Sequence, residues 1–169
     1  VLKRALKRAA DLGFEDYVVA PELEFFYFRS ARPEGGVPEV LDEGGYFDLT
    51  TLDAGSDVRR ETVLALEQMG VHVASTHHEA GPSQHELDLK PAGALLTADD
   101  VMTTKIVVKE YAVQQGWHAT FMPKPIGGAN GSGMHLHQSL VKDGENAFFE
   151  GGRPGALSAT AKAFIAGQL

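Results

Sequence analysis

Four short motifs in the sequence carry acidic, amide or imidazole side chains two residues apart. They are Glu22-Leu23-Glu24, His77-His78-Glu79, Gln84-His85-Glu86-Leu87-Asp88 and His135-Leu136-His137. Because side chains alternate between the two faces of a β-strand, each motif would gather its i and i+2 members on one face. A lone charged face usually meets water. Several such strands, flanked by glycine and proline turns, instead indicate the wall of a site.

Convergence of the glutamates would call for a counter-charge. Two like charges about 4 Å apart cost roughly 4 kcal/mol at an effective dielectric constant of 20. Two divalent cations would neutralise four carboxylates, and oxygen ligands with an occasional imidazole suit Mg²⁺ or Mn²⁺. Zinc is disfavoured because the chain has no cysteine and no H-E-x-x-H helix. A di-iron helical bundle is disfavoured because it would need a Glu-x-x-His pair, which the sequence lacks.

A glycine-rich stretch at residues 122–139, MPKPIGGANGSGMHLHQS, adds a second element of the expected site. Its loop can turn backbone N–H groups toward an anionic ligand. It continues as an alternating run in which His135, His137 and Ser139 would share one face of a strand. Glycine loops with Mg²⁺ are typical of phosphate chemistry, although neither the Walker motif nor the dinucleotide fingerprint occurs here.

Hydrophobic periodicity predicts the elements that hold these motifs. Strands are expected over residues 16–29, 71–79, 84–90, 117–122 and 134–139. Helices are expected over residues 1–12, 56–69 and 97–115, and from Ser158 onward. This order favours an α+β fold, with a largely antiparallel sheet and helices on one face.

Local signals refine the predicted helix ends. Ser56 is expected to cap the second helix, with Leu64, Leu66 and Met69 directed toward the core. Thr97 and Asp100 are expected to form a capping box for the third helix. The first three helices are expected to end at Gly13, Gly70 and Gly116, and the last helix is expected to be capped by Ser158.

Strand alternation also separates the histidines of the second and third motifs. His85 lies between two site-facing residues and should therefore point away from the metals. His78 is expected to be packed or hydrogen-bonded, whereas His77 shares a face with Glu79 and could be either structural or functional. Asp88 is a candidate for contact with the metal ligands.

Composition restricts the partners of this chain of 169 residues. A net charge of −8 argues against binding to nucleic acid or to an anionic membrane, which basic side chains favour. The absence of cysteine suits a reducing cytoplasm, and no apolar run approaches the roughly 20 residues that span a bilayer. We therefore expect a cytoplasmic domain.

The motifs in their order resemble glutamine synthetases of the prokaryotic type. The resemblance is carried by PELEFF at 21–26, HHEAGPSQHEL at 77–87 and the glycine-rich stretch at 122–139. The segment at 45–70 also resembles this family, so the likeness covers essentially the whole chain. One motif alone would be weak evidence, but the three together are highly specific.

The resemblance implies an ATP-dependent ligase that activates glutamate as γ-glutamyl phosphate, which ammonia then attacks. It also implies two Mg²⁺ or Mn²⁺ ions per site and a homo-oligomer, a dodecamer in the full-length family members. The resemblance implies that one metal is bound by Glu24, Glu79 and Glu86, and that the other is bound by Glu22 and His135. It also implies that glutamate is bound by Asn130 and Gly131, and ATP by His137 and Ser139.

The resemblance further implies that residues 1–169 are a central, partial catalytic domain. Family members have an additional N-terminal domain and a C-terminal part that supplies substrate arginines, a flap glutamate and the last metal ligand. Without those arginines, developing phosphoryl charge loses its main stabilisers. We therefore expect this chain alone to bind metal weakly and to have no measurable synthetase activity.

Two other functions remain open at the level of sequence. A relative that ligates glutamate to another amine or a polyamine would keep the metal motifs and change the ammonia pocket. A non-catalytic, metal-binding relative would keep the fold alone, although all five expected metal-ligand positions are filled here.

Overall fold

The computed structural model describes residues 1–32, 34–36, 38–49, 51–151 and 155–169. The helices are α1 (Leu2–Asp11), α2 (Ser56–Gln68), α3 (Ala94–Gln114) and α4 (Ala159–Ala166), with a short 3₁₀ turn at Glu34–Gly36. The strands are β1 (Asp16–Phe28), β2 (Val73–His78), β3 (Gln84–Leu89), β4 (Ala92–Gly93), β5 (His118–Thr120), β6 (Met134–Lys142) and β7 (Glu145–Asn146).

The chain forms two compact units. The site unit comprises Pro21–Lys90 and Ala98–Leu136, and the terminal unit comprises Val1–Ala20, Pro91–Thr97 and His137–Leu169. β1, α3 and β6 contribute residues to both units. The paired strands described below are antiparallel, so the predicted α+β class with a largely antiparallel sheet is confirmed.

The sheet of the site unit follows the order β2-β3-β1-β5. β2 and β3, both predicted as strands, form an antiparallel hairpin in which His78 lies opposite His85. β3 pairs with β1 so that Leu23 lies opposite Leu87, and β5 pairs with the other edge of β1. Residues directly opposite each other in an antiparallel pair share a face, so this register decides which side chains meet.

One face of this sheet forms the hydrophobic core of the site unit. Leu23, Phe25 and Tyr27 of β1 are at most 1% exposed, because alternate residues of the strand are apolar. α2 and α3 cover this face with residues that include Leu66 and Val108. The expected helices on one face of the sheet are therefore found here.

Two details predicted for α2 are wrong. Ser56 is the first helical residue, and Gly55 occupies the N-cap position without a side-chain hydrogen bond. Leu66 is fully buried, whereas Leu64 is 48% and Met69 is 60% exposed. The buried stripe runs instead through Val58, Thr62 and Leu66 at four-residue steps, which turns position 64 outward and leaves 69 beyond the helix end.

The predicted capping box of α3 is also wrong. The helix begins at Ala94, so Thr97 lies within its first turn rather than before it. The Thr97 hydroxyl donates instead toward the carbonyls of Ala92 and Gly93, at 3.3 and 3.2 Å. At the other end, Gly116 has φ of +75°, and the chain leaves the helix there as predicted.

The terminal unit has two short antiparallel pairs. Val18 of β1 lies opposite Gly93 of β4, and Val141 of β6 lies opposite Asn146 of β7. The β6–β7 connection is an Asp143-Gly144 turn, in which both residues have positive φ. Ser158 caps α4 as predicted, with its hydroxyl accepting from the Ala161 N–H at 3.1 Å. No helix in the described part of the chain has both the length and the apolarity needed to cross a bilayer.

Candidate metal and substrate site

The polar face of the site-unit sheet opens onto a cavity of about 560 Å³. The β1–β3 register places Glu24 opposite Glu86 and Glu22 opposite Asp88, which brings four carboxylates onto that face. The cavity is lined by Glu22, Glu24, Tyr46, Phe47, Ser75, His77, Glu79, Glu86, Asp88, Asn130, Gly131, Gly133 and His135. Seven of the nine residues proposed for the site from the sequence thus line a single cavity.

β2 continues this face on the far side of β3. Its register sets His77 opposite Glu86 and Ser75 opposite Asp88. The His77 Nε2 atom lies 3.3 Å from Glu86 Oε2, while its Nδ1 lies 3.0 Å from the carbonyl oxygen of His78. Because a carbonyl oxygen only accepts, His77 donates from Nδ1, and its Nε2 is directed at Glu86 in the cavity.

β6 supplies the imidazole on the other side of β1. His135 Nδ1 lies 3.0 Å from Glu22 Oε2 and 3.8 Å from Glu24 Oε1. The Glu24 backbone N–H donates to the Gly133 carbonyl at 3.4 Å, which holds the start of β6 beside the strand that bears the glutamates. Residues separated by more than one hundred positions in the chain therefore share one site.

Glu79 enters the cavity from the β2–β3 turn. Its backbone N–H donates to the Gln84 carbonyl at 2.7 Å, which closes the turn below it. Its carboxylate accepts from the Ala80 N–H at 2.6 Å through Oε2. Glu79 is thus held close to the strand that carries Glu86.

The glycine-rich loop brings Asn130 and Gly131 to the cavity. The Ser132 N–H donates to the Pro123 carbonyl at 2.8 Å and closes the loop on itself. A Cβ at position 131 would stand 2.6 Å from that same Pro123 oxygen, so only glycine fits. The loop therefore presents backbone rather than bulky side chains at this point.

The electrostatics of the cavity are strongly one-sided. Its lining includes five carboxylates, and the described lining residues include no lysine or arginine. Burial, together with hydrogen bonds and repulsion from Glu79 and Asp88, raises the pKa of Glu86 to about 9. The described lining of the cavity offers no lysine or arginine that would stabilise the ionised form of Glu86.

The donor set fits divalent cations that prefer oxygen ligands. Ligand atoms of His77, Glu86 and Asp88 lie within 4.8 Å of one another. Carboxylate oxygens with one or two imidazoles are the ligands that Mg²⁺ and Mn²⁺ accept, and a divalent ion would compensate the crowded carboxylates. The cavity therefore offers the kind of ligands that a hard cation prefers.

Two predicted residues belong to the other unit. His137 and Ser139 are residues of β6 in the terminal unit, where His137 is exposed and Ser139 is half-buried. Their contacts with ATP remain a prediction.

A buried polar cluster lies on the core side of the hairpin. Arg59 donates to both oxygens of Asp53 at 2.8 Å and to His85 Nδ1 at 2.9 Å. Because arginine only donates, this His85 nitrogen must accept, and burial together with Arg59 lowers the pKa of His85. His78 Nε2 lies 2.9 Å from Asp42 Oδ1. The structural roles predicted for His78 and His85 are confirmed.

Sequence reasoning missed the aromatic residues of the cavity. Tyr46 and Phe47 line it, and the Phe47 ring stacks on His77 with a centroid separation of 4.2 Å. Phe47 has φ of +60°, and its N–H donates to the His78 carbonyl at 3.0 Å. The only local signal was an adjacent aromatic pair after Gly44-Gly45. Nothing in its spacing indicates β2 as its neighbour.

The fold and the cavity define an α+β domain with a carboxylate and imidazole site beside a glycine-rich loop. Residues 1–169 match the family described as glutamine synthetase, catalytic domain, and the chain belongs to that family.

Relatives and solved structures agree with this membership. The chain is 52% identical to the glutamine synthetase of Thermus thermophilus over 171 aligned residues and 49% identical to that of Methanosarcina mazei over 169, covering 100% of the chain. A Plasmodium falciparum glutamine synthetase structure matches 98% of the chain and 38% of its own, with 27% identity and a TM-score of 0.87. A structure described as "Apo GmaS without ligand" matches 98% of this chain and 39% of its own, with 34% identity and a TM-score of 0.84. The chain spans 38% of the length of these two curated relatives.

Proposed function

We propose that the protein supplies the metal site and part of the glutamate site of an ATP-dependent glutamate–ammonia ligase. The observation that carries the proposal is the strand register that joins Glu24 to Glu86 and brings His135 to Glu22. Membership in the glutamine synthetase family supports the reaction class.

The proposed site holds two Mg²⁺ or Mn²⁺ ions. Glu24, Glu79 and Glu86 bind one ion, and Glu22 and His135 bind the other. Both sets of ligands are drawn from the lining of one cavity. Glu24 of the first set lies near the second set, because its Oε1 is 3.8 Å from His135 Nδ1. When bound, such ions supply Lewis acidity and charge neutralisation for phosphoryl transfer.

The chain's own residues provide orientation around these ions. Asn130 and Gly131 bind the glutamate substrate, supported by a loop whose backbone is fixed by the Pro123–Ser132 hydrogen bond. His137 and Ser139 contact ATP, which carries the γ-phosphoryl group to the glutamate carboxylate. The carboxylate-lined wall favours the approach of a cationic amine.

Ammonia is the proposed acceptor, and another amine or a polyamine is the alternative. Identities of 52% and 49% to curated glutamine synthetases favour ammonia. Product formation by the full-length enzyme with ammonia, methylamine and putrescine as competing acceptors distinguishes them. Preferential turnover of either amine would overturn the choice of ammonia.

The proposed setting is a cytoplasmic homo-oligomer, a dodecamer for the full-length protein. The absence of cysteine and the net charge of −8 support a reducing compartment and argue against nucleic-acid or membrane partners. Light scattering on the full-length protein measures the assembly, and a monomer would contradict the proposal.

Metal binding is tested by titrating the protein with Mn²⁺ and following the free ion by electron paramagnetic resonance. Glu79→Ala should weaken binding at least tenfold, by analogy with the loss of metal-site groups. Glu110→Ala, an exposed position on α3, is the control and should leave binding unchanged. Equal affinities in the two variants would remove the proposed site. Glutamine formation by this chain alone is expected to be undetectable, and measurable formation would contradict that expectation.

A further inference from the structure

Gln84 is a fully buried amide whose polar atoms are all engaged within the site unit. Its Oε1 accepts from the Gly81 N–H at 3.0 Å, in the turn between β2 and β3. Its Nε2 lies 3.1 Å from Glu24 Oε2, 2.9 Å from the Gly131 carbonyl and 3.2 Å from Ser132 Oγ. One amide group, with two hydrogens on its nitrogen, thus serves three acceptors and one donor.

The contact with Glu24 fixes the direction of that carboxylate. A hydrogen bond from a neutral amide to a carboxylate is stronger than one between neutral groups. Because Gln84 is bonded to Oε2, the other oxygen of Glu24 faces His135, with Oε1 3.8 Å from Nδ1. Gln84 therefore sets which Glu24 oxygen is directed toward the candidate metals.

The same nitrogen holds the glycine-rich loop. Gly131 lines the cavity, and the adjacent Ser132 is tied back to Pro123 through its backbone N–H. On the opposite side, a Cβ at Gly81 would stand 2.7 Å from Gln84 Oε1, so the turn packs tightly against the amide. A displacement of Gln84 would therefore alter the contacts of the Glu24 carboxylate, the glycine-rich loop and the β2–β3 turn together.

We propose that Gln84 is a positioning residue that couples the Glu24 metal ligand to the Gly131–Ser132 segment of the substrate loop. Metal binding that draws on Glu24 then orders the loop through the shared amide, and loop ordering favours metal binding by the same factor. The inference rests on the proposed function, because it takes Glu24 as a metal ligand and the loop as the glutamate site.

The test uses metal alone as the probe. Mn²⁺ affinity is measured by electron paramagnetic resonance, and amide hydrogen exchange of residues 123–133 is measured with and without saturating Mg²⁺. The variants are Gln84→Met, which keeps the length of the side chain and removes its hydrogen bonds, and Ser132→Ala, which removes one acceptor at a half-buried position. Gln68→Met, at an exposed helix end, is the matched control.

In the parent protein and in Gln68→Met, Mg²⁺ should slow exchange across the loop. Gln84→Met should bind Mn²⁺ about tenfold more weakly and lose this Mg²⁺-dependent protection even at saturating metal. Ser132→Ala should reduce the protection while leaving the buried amide in place. A merely structural role for Gln84 would lower the melting temperature but preserve the effect of Mg²⁺ on the loop.

The outcomes separate the two proposals. Failure of the parent protein to bind Mn²⁺ would overturn the metal site itself. Binding by the parent with the same affinity and the same loop protection in Gln84→Met would overturn the role of Gln84 alone. If Gln84→Met does not fold, unchanged loop protection in Ser132→Ala overturns that role.

Discussion

Glu24 of β1 and Glu86 of β3 lie directly opposite each other on the cavity face of the site-unit sheet, and both are buried. Like charges in directly opposed positions destabilise an antiparallel pair. The next opposed pair toward the start of β1, Glu22 with Asp88, repeats the arrangement. The sheet therefore carries a cost on this face that a divalent cation would remove, and metal binding should be linked to stability.

Glu86→Gln should separate stability from metal binding. The amide keeps the shape of the side chain and cannot ionise. The raised pKa of Glu86 means that folding disfavours its ionised form at neutral pH, so removing the ionisable group should raise the free energy of unfolding without metal by about 1 kcal/mol. Stabilisation by added Mn²⁺ should largely disappear. Thermal unfolding with and without Mn²⁺ measures both effects, and Glu110→Gln is the surface control. A Glu86→Gln variant that keeps the full Mn²⁺ stabilisation would contradict Glu86 as a ligand.

The common face of Glu22 and Glu24 was predictable because strand alternation is a local property. A period of two places Glu22 and Glu24 on one face of the strand, and it places the apolar Leu23 and Phe25 on the other face. The remainder of the site depends on contacts between distant segments. Phe47 reaches His77 across thirty positions, and such a contact leaves no periodic trace in the sequence.

Helix starts show the same division between local and tertiary control. Ser158 caps α4 as its sequence predicts, because its hydroxyl accepts from Ala161 three residues later. Ser56 has the same chemistry, yet α2 begins one residue too early for it to cap. Thr97 is drawn away from capping because Ala92 and Gly93 offer carbonyls to its hydroxyl.

Arg59→Met should strongly destabilise the site unit. Arg59 and Asp53 form a bidentate ion pair at 2.8 Å, with side chains 7% and 2% exposed. Removing one partner of a buried pair leaves an uncompensated charge, so the free energy of unfolding should fall by about 3–5 kcal/mol. Denaturant titration measures this fall.

Arg60→Met is the control for that loss. Its side chain is 63% exposed, and its ion pairs with Asp57 and Glu61 lie at the surface, so the change should stay below about 0.5 kcal/mol. Similar losses of unfolding free energy in Arg59→Met and Arg60→Met would mean that the buried ion pair contributes no more to stability than the exposed ones.

Acid should destabilise the protein through Asp42. Burial acts to raise the pKa of this carboxyl, but hydrogen bonds from His78 and from the Ala54 N–H outweigh it and lower the pKa to about 2. A folded-state pKa below the usual value means that the contribution exists at neutral pH and is lost as pH falls from about 4 to 2. The loss should amount to about 2 kcal/mol.

Asp42→Asn isolates this contribution. The variant should be less stable than the parent protein at pH 7 and should approach it at pH 2, because its side chain does not titrate. Asp57→Asn, with a side chain 90% exposed in the parent protein, should follow the parent curve. Denaturant titrations across this pH range measure the difference, and parallel curves for Asp42→Asn and the parent would contradict the assignment.

Gly55→Ala should destabilise the protein through a single steric contact with His85. An added Cβ would stand 2.7 Å from Cε1 and 2.8 Å from Nε2 of the ring. The ring cannot easily yield, because Arg59 donates to its Nδ1 and the side chain is fully buried. Gly55 has φ of −89°, which alanine tolerates, so the expected loss of about 1–3 kcal/mol comes from overpacking alone. Gly127→Ala, where no atom of the described residues lies within 4 Å of the added Cβ, is the control for thermal unfolding. Equal melting temperatures for the two variants would show that the His85 ring moves more freely than its contacts indicate.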